Sequence, residues 1–187
     1  PPPPPPPPPP PFFFQAEDGI RARVAARGLG DVYKRQVTDT ALVPAQPSDW
    51  LRDAGLSGAM VQFSGQVRDE QGRVEALHLE HYPGMTEGVL RTIVDQAGQK
   101  WHLNGAWVVH RIGTMVVADD IVQVAVSAPH RQDAFAACAF IMDLLKTRAP
   151  FWKKELIDGR WVWVEARQSD DEAAAAWLQA ASAREPS

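Results

Sequence analysis

Hydrophobic and polar positions alternate with two different periods along this chain, and the switches between those periods predict its elements. From Gly58 to Arg68 the alternation is strand-like, with Met60, Gln62, Ser64 and Gln66 on one face and Val61, Phe63, Gly65 and Val67 on the other. The cluster Asp69-Glu70-Gln71-Gly72 turns the chain and Val74 to Tyr82 returns, so the two strands are expected to pair as a hairpin. Pro83-Gly84 ends the second strand. With Thr86 as cap and Glu87 at the positive end, a helix is expected from about Glu87 to Trp101, burying Val89, Leu90, Ile93, Val94 and Ala97. Ala106 to Ile112 and Ile121 to Ser127 are apolar strands, separated by a turn within Gly113 to Asp120.

Gln132 to Arg148 reads as a helix with apolar residues around nearly its whole circumference, which predicts burial across the sheet. Ala149 precedes a proline and is pushed out of the α region, so the helix should finish near Arg148. Phe151 to Ile157 and Arg160 to Ala166 follow as strands joined by an Asp158-Gly159 hairpin turn. Weaker signals place an extended segment at Thr40 to Val43 and a short helix at Pro47 to Leu51, capped by Ser48. A last helix is capped by Ser169 and runs through Leu178. Hairpins mixed with helices predict one domain of the α+β class with a largely antiparallel sheet.

The ends change the picture. Pro1 to Pro11 is a homopolymer, and Phe14 to Arg21 and Asp31 to Gln36 resemble translated sequencing-adapter read-through. Residues 1–36 are therefore set aside as a non-native or disordered leader, with the domain expected over 37–178 and a frayed tail over 179–187. Over the 187 residues, 45 % are hydrophobic and 22 % charged, as in ordinary globular proteins. No apolar run approaches the roughly 20 residues that cross a bilayer. The single cysteine, Cys138, excludes an intrachain disulfide and any multi-cysteine metal site, and it fits a reducing compartment, so a cytoplasmic location is expected. The formal net charge is -4, and from residue 37 onward 14 basic face 20 acidic side chains, which argues against broad nucleic-acid binding. Against that acidic background, Lys146, Arg148, Lys153 and Lys154 crowd the stretch Leu144 to Glu155. Such a focus suits a small anion or a carboxylate-bearing partner.

Candidate chemistry gathers there. Lys146 sits near a helix C-terminus, where it is either a snorkelling surface lysine or, with Arg148 and Lys153 nearby, a base or nucleophile. Strand alternation puts Phe151, Lys153, Glu155 and Ile157 on one side and Trp152, Lys154 and Leu156 on the other, so Lys153 and Lys154 cannot share one site. Ala128-Pro129-His130-Arg131 opens a helix, which makes an anion site or a solvated turn. His78 and His81 face opposite ways on a strand, Cys138 reads as core, and neither a metal nor a cofactor is expected.

Several strings bear a resemblance beyond their local physics. Phe63-Ser64-Gly65-Gln66-Val67-Arg68, Leu79-Glu80-His81-Tyr82-Pro83-Gly84-Met85, His110-Arg111-Ile112-Gly113, His130-Arg131, Phe140-Ile141-Met142-Asp143, Leu145 to Glu155 and Trp163-Val164-Glu165-Ala166-Arg167 occur in this order. Together they resemble the MoaE family, the large catalytic subunits of molybdopterin synthase. The resemblance implies an α/β hammerhead fold and a heterotetramer, in which a homodimer core carries a small ubiquitin-like sulfur-carrier subunit at each end. It implies sulfur transfer from the carrier's C-terminal thiocarboxylate to cyclic pyranopterin monophosphate, forming the molybdopterin dithiolene. Lys146 and Lys153 would be the catalytic lysines. Arg68, His130 and Arg131 would bind the substrate anion, with Arg167 reaching in from the other copy, and Phe63, Met142 and Glu155 would line or support the pocket. The family often carries a lysine where Gln66 stands here. A non-catalytic module that binds a carrier tail or small anion is the alternative.

Overall fold

The computed structural model describes residues 32–53, 57–69, 72–164 and 175–177. Along the chain they form β1 (Tyr33–Thr38), α1 (Gln46–Asp53), β2 (Ala59–Gln66), β3 (Val74–His81), α2 (Met85–Trp101), β4 (Gly105–Arg111), β5 (Gly113–Val116), β6 (Asp120–Ala128), α3 (Arg131–Arg148), β7 (Phe151–Ile157) and β8 (Arg160–Val164). A strand that is apolar at both parities must be covered on both faces, and β6 is buried from Val122 through Ala128. It lies inside a sheet ordered β1-β4-β6-β2, in which β1 runs parallel to β4 and the other ladders are antiparallel.

On one face of that sheet, Val122, Val124, Val126 and Ala128 pack with Ala106 and Val108 beneath α2 and α3. On the other face, Ala125 lies opposite Trp107 in register, and Leu51 of α1 covers the pair. Fully burying each Val, Leu or Ile side chain contributes about 1.5–3 kcal/mol, so this double-sided packing dominates the stability. A second, wholly antiparallel sheet is ordered β5-β3-β7-β8 and has a smaller core of Val67, Leu77, Leu79 and Met115. The α+β class and the largely antiparallel pairing match the sequence expectation.

Several local expectations do not hold. β2 and β3 form no hairpin: β2 pairs with β6, while both edges of β3 are taken by β5 and β7. The extended segment expected at Thr40 to Val43 forms no strand, and the first strand is β1, which begins inside the stretch set aside up to Gln36 and ends beyond it at Thr38. Its cations hid it from a hydrophobicity pattern. The Arg35 guanidinium pairs with Asp95 at 2.7 Å and the Lys34 ammonium lies 4.4 Å above the Trp107 ring. Ser48 lies inside α1, its hydroxyl donating back to the Ala45 carbonyl, so it is not the cap. The N-cap of α2 is Gly84 rather than Thr86, because the Glu87 carboxylate accepts the Gly84 N–H at 2.7 Å while Thr86 is buried. The turn expected within Gly113 to Asp120 is present at Val117-Ala118, but the short strand β5 that precedes it is unexpected. α3 is not buried all round either, since Phe135 is 65 % exposed. The leader up to residue 31, the strand end at 165–166, the helix onset at Ser169 and the tail from residue 179 lie outside the described residues.

Where α3 meets β7 the chain turns a corner at Pro150. Ala149 takes φ -74 and ψ 123, outside the α region as a pre-proline residue must, and its N–H still donates to Leu145 O. The Thr86 hydroxyl lies 3.4 Å from the Pro150 carbonyl, and the Phe151 ring stacks on His110 with centroids 4.0 Å apart. Burial pushes the His110 imidazole down to about 4; its hydrogen bond to the Arg111 carbonyl opposes this and nearby His81 adds to it. His78 is also lowered, by burial and by Lys154 against the pull of Glu80.

A histidine kept neutral by the fold binds fewer protons than the unfolded chain. Its contribution is therefore complete above the unfolded value near 6.5 and is lost as pH falls toward 4. Urea unfolding should show stability dropping by about 2 kcal/mol between pH 7 and pH 5, and His110→Phe should remove the larger part of that drop. An unchanged pH slope in His110→Phe would contradict this assignment.

Candidate functional site

The corner at Pro150 divides the cationic stretch. Lys146 projects from the last turn of α3, where the negative helix end favours an ammonium. It is exposed, and shares an outward stripe with Phe135, Ala139 and the half-buried Met142, spaced as one face of a helix. Lys153 leaves the other side of the corner from β7. Its ammonium is 2.6 Å from the Glu155 carboxylate, two residues on and so on the same strand face. With Glu155 only 15 % exposed, this pair is shielded more than a surface ion pair and fixes where the Lys153 charge stands. Lys154 points to the opposite face, as the alternation requires. It pairs with Glu80 at 3.1 Å and lies over the rings of Trp163 and Trp161.

Beside the stripe of α3 lies the open edge of the first sheet. Phe63 of β2, paired in register with Val124, is on the helix-covered face yet 41 % exposed. Gly65 makes its position possible. A Cβ there would come within 2.9 Å of Val122 and 3.3 Å of the Phe63 ring, so a larger residue would displace that ring. Arg68 follows the strand and is exposed, and backbone bonds of Val67 to Asp119 and Ala118 tie its base to the turn before β6. Gln66 donates to Asp120 at 3.0 Å. Phe63 thus lies on a strand that packs against α3, the helix whose outward stripe carries Met142 and Lys146.

His130 and Arg131 stand elsewhere in the same chain. His130 is the N-cap of α3 without a side-chain cap bond, and both residues are exposed at the helix end that favours anions. Arg131 and Lys146 are fifteen residues apart in one helix, so at ~1.5 Å per residue they stand roughly 22 Å apart along its axis. One chain does not bring them into a single pocket. Arg167 lies outside the described residues. Among the described residues no three His, Cys, Asp or Glu side chains cluster as a metal site requires. Cys138 is buried, and burial pushes its thiol up to about 11, which leaves it unreactive.

Sequence reasoning took Thr86 for a helix cap and put Phe151 on the Lys153 face, but it missed that these two side chains and His110 hold the corner. A positional signal was His110 in line with Ala106 and Val108 on an apolar strand. That parity aims a titratable ring at the interior, but it does not name the partner in the other sheet.

The family model described as "MoaE protein" matches residues 37–148. A curated relative from Vibrio cholerae, named molybdopterin synthase catalytic subunit, is 53 % identical over 135 residues, covering 71 % of this chain and 90 % of the relative. A MoaE protein of known structure from Burkholderia ambifaria superposes with a TM-score of 0.68 at 42 % identity, covering 78 % of this chain and 98 % of that one. The crystal structure of molybdopterin synthase from Staphylococcus aureus matches with a TM-score of 0.63 at 32 % identity, over 70 % of this chain and 96 % of that one. The chain shares the fold of those proteins and belongs to the MoaE family.

Proposed function

We propose that this chain is the catalytic subunit of a molybdopterin synthase, which takes sulfur from the C-terminal thiocarboxylate of a small ubiquitin-like carrier and transfers it to cyclic pyranopterin monophosphate. Two transfers build the dithiolene. The observation that carries the reading is the 53 % identity to a curated catalytic subunit over 135 residues, 90 % of that relative's length. Both the carrier tail and the substrate phosphate are anions, and the corner presents cations on an otherwise acidic chain. Lys146 meets the thiocarboxylate as the tail enters along Phe63 and Met142. Lys153, held by Glu155, stabilises the charge that develops as sulfur leaves the carrier. Arg68 serves the substrate anion at the same surface.

The length of α3 bears on the remaining residues. His130 and Arg131 cannot reach a substrate seated at Lys146 of their own chain, so they serve the site of the second copy in the homodimer core, as does Arg167. The site works in the cytoplasm, consistent with a lone buried thiol, and among the described residues no helix is long and apolar enough to cross a membrane.

With purified chain, thiocarboxylated carrier and cyclic pyranopterin monophosphate, dithiolene formation is the expected outcome. Carrier binding without product would instead favour a tail-binding module. Lys146→Ala should bind carrier as well as the parent chain while nearly abolishing product, and Glu155→Gln should lower kcat by about tenfold. Full turnover by Lys146→Ala would sink the catalytic assignment.

The shared site makes a separate expectation. Lys146→Ala and Arg131→Ala chains, each inactive alone, should regain roughly a quarter of parental activity after mixing and subunit exchange, because half of the dimers are mixed and each carries one intact site. No recovery in demonstrably mixed dimers would return Arg131 to a role within its own chain.

A further inference from the structure

Beneath the two lysines lies a group of side chains for which the transfer as described has no use. Phe151 opens β7 and shares its face with Lys153 and Glu155, so its ring is the first member of the row that carries the lysine. That ring belongs to the second sheet, and it is stacked on His110, which belongs to the first, at 4.0 Å between centroids and 23° between planes. His110 Nδ1 lies 2.9 Å from the Arg111 carbonyl, which can only accept, so the proton sits on Nδ1 and the ring is fixed in one orientation. On the β3 side, His81 is in register with Phe151 and its Nε2 is 3.5 Å from Glu87 at the start of α2. From the same turn, the Thr86 hydroxyl is 3.4 Å from the Pro150 carbonyl. The corner is thus gripped from β3, β4 and α2 together.

We propose that His110 is a positioning residue for sulfur transfer: its ring, seated against Phe151, fixes where β7 leaves the corner and hence where Lys153 stands relative to Lys146. This rests on the functional reading above. Stacking contributes a face rather than a charge, so a phenyl ring can replace the imidazole, whereas a methyl group leaves Phe151 free to shift. A displacement of about 1 Å in a reacting group is enough to slow a reaction by two orders of magnitude, so a modest shift of β7 is visible in kcat.

The test uses the complete two-subunit enzyme with His110→Ala, His110→Phe, Phe151→Leu and the His110→Ala/Phe151→Leu double variant. His110→Ala and Phe151→Leu should each lower kcat by about tenfold or more with KM for the carrier unchanged. His110→Phe should keep most of the activity, and the double variant should be no slower than the slower single one. Wild-type kcat in His110→Ala, equal loss in His110→Phe, or additive losses in the double variant would each overturn the proposal. A second readout does not depend on turnover: the Lys153 Nζ resonance should move in His110→Ala and stay in place in His110→Phe. Failure of the parent enzyme to make dithiolene would count against the functional reading alone. An unmoved Lys153 resonance in His110→Ala would count against the positioning role alone.

Discussion

A proline that can neither continue a helix nor donate a hydrogen bond stands at the centre of this structure. Pro150 forces Ala149 out of the α conformation, ends α3 at Arg148 and starts β7 one residue later. Two lysines seven residues apart in sequence consequently belong to elements of different kinds. Lys146 belongs to a helix end, where the backbone dipole favours its charge, and Lys153 to a strand, where the period of two places Glu155 beside it and sends Lys154 away. A continuous helix through this stretch would separate the lysines by about two turns and break the pairing of β7 with β3.

That constraint has effect only because the surroundings of the corner do not yield. α3 is held down by Ala134, Ala137, Ile141, Leu144 and Leu145 against the sheet, whose central strand is covered on both sides. β7 is held by β3 on one edge and β8 on the other. The two sheets have separate cores and meet at the corner through the His110–Phe151 stack, while Thr86 of α2 touches the Pro150 carbonyl between α3 and β7. A close-packed interior of this kind keeps side chains near one geometry, which an electrostatic role for Lys153 requires. Trp177 donates to Asp143 and packs edge-on against Trp101 and Phe140, tying α3 to the end of α2.

Periodicity makes the strongly patterned elements legible in the sequence. The bodies of α2, α3, β4, β6 and β7 and the opposite facing of Lys153 and Lys154 follow from the 3.6 and 2 periods. Pairing is not legible where the partner is distant. β2 and β3 are neighbours in sequence, yet β2 completes the sheet of β6 because its row of Ala59, Val61 and Phe63 continues the face under α3. β1 is hidden because Lys34 and Arg35 look like surface residues until Trp107 and Asp95 are known to receive them. At the site, the resemblance names Lys146, His130 and Arg131 as one set. A count along α3 shows that one chain cannot close that set, a consequence of helix rise that motif matching ignores. The roles of His110 and Thr86 at the corner escape notice because their partners come from the other sheet and from a carbonyl across the fold.

The proposed function has the corner between α3 and β7 receive the carrier's activated tail. A structure of the chain in complex with the carrier locates the tail's terminal carboxyl carbon. That carbon is expected within contact of Lys146 Nζ, with Lys153 on its other side and the tail running past Phe63 and Met142. A tail seated against the Trp161 and Trp163 face of the second sheet, or at the His130 end of the same α3, would contradict it.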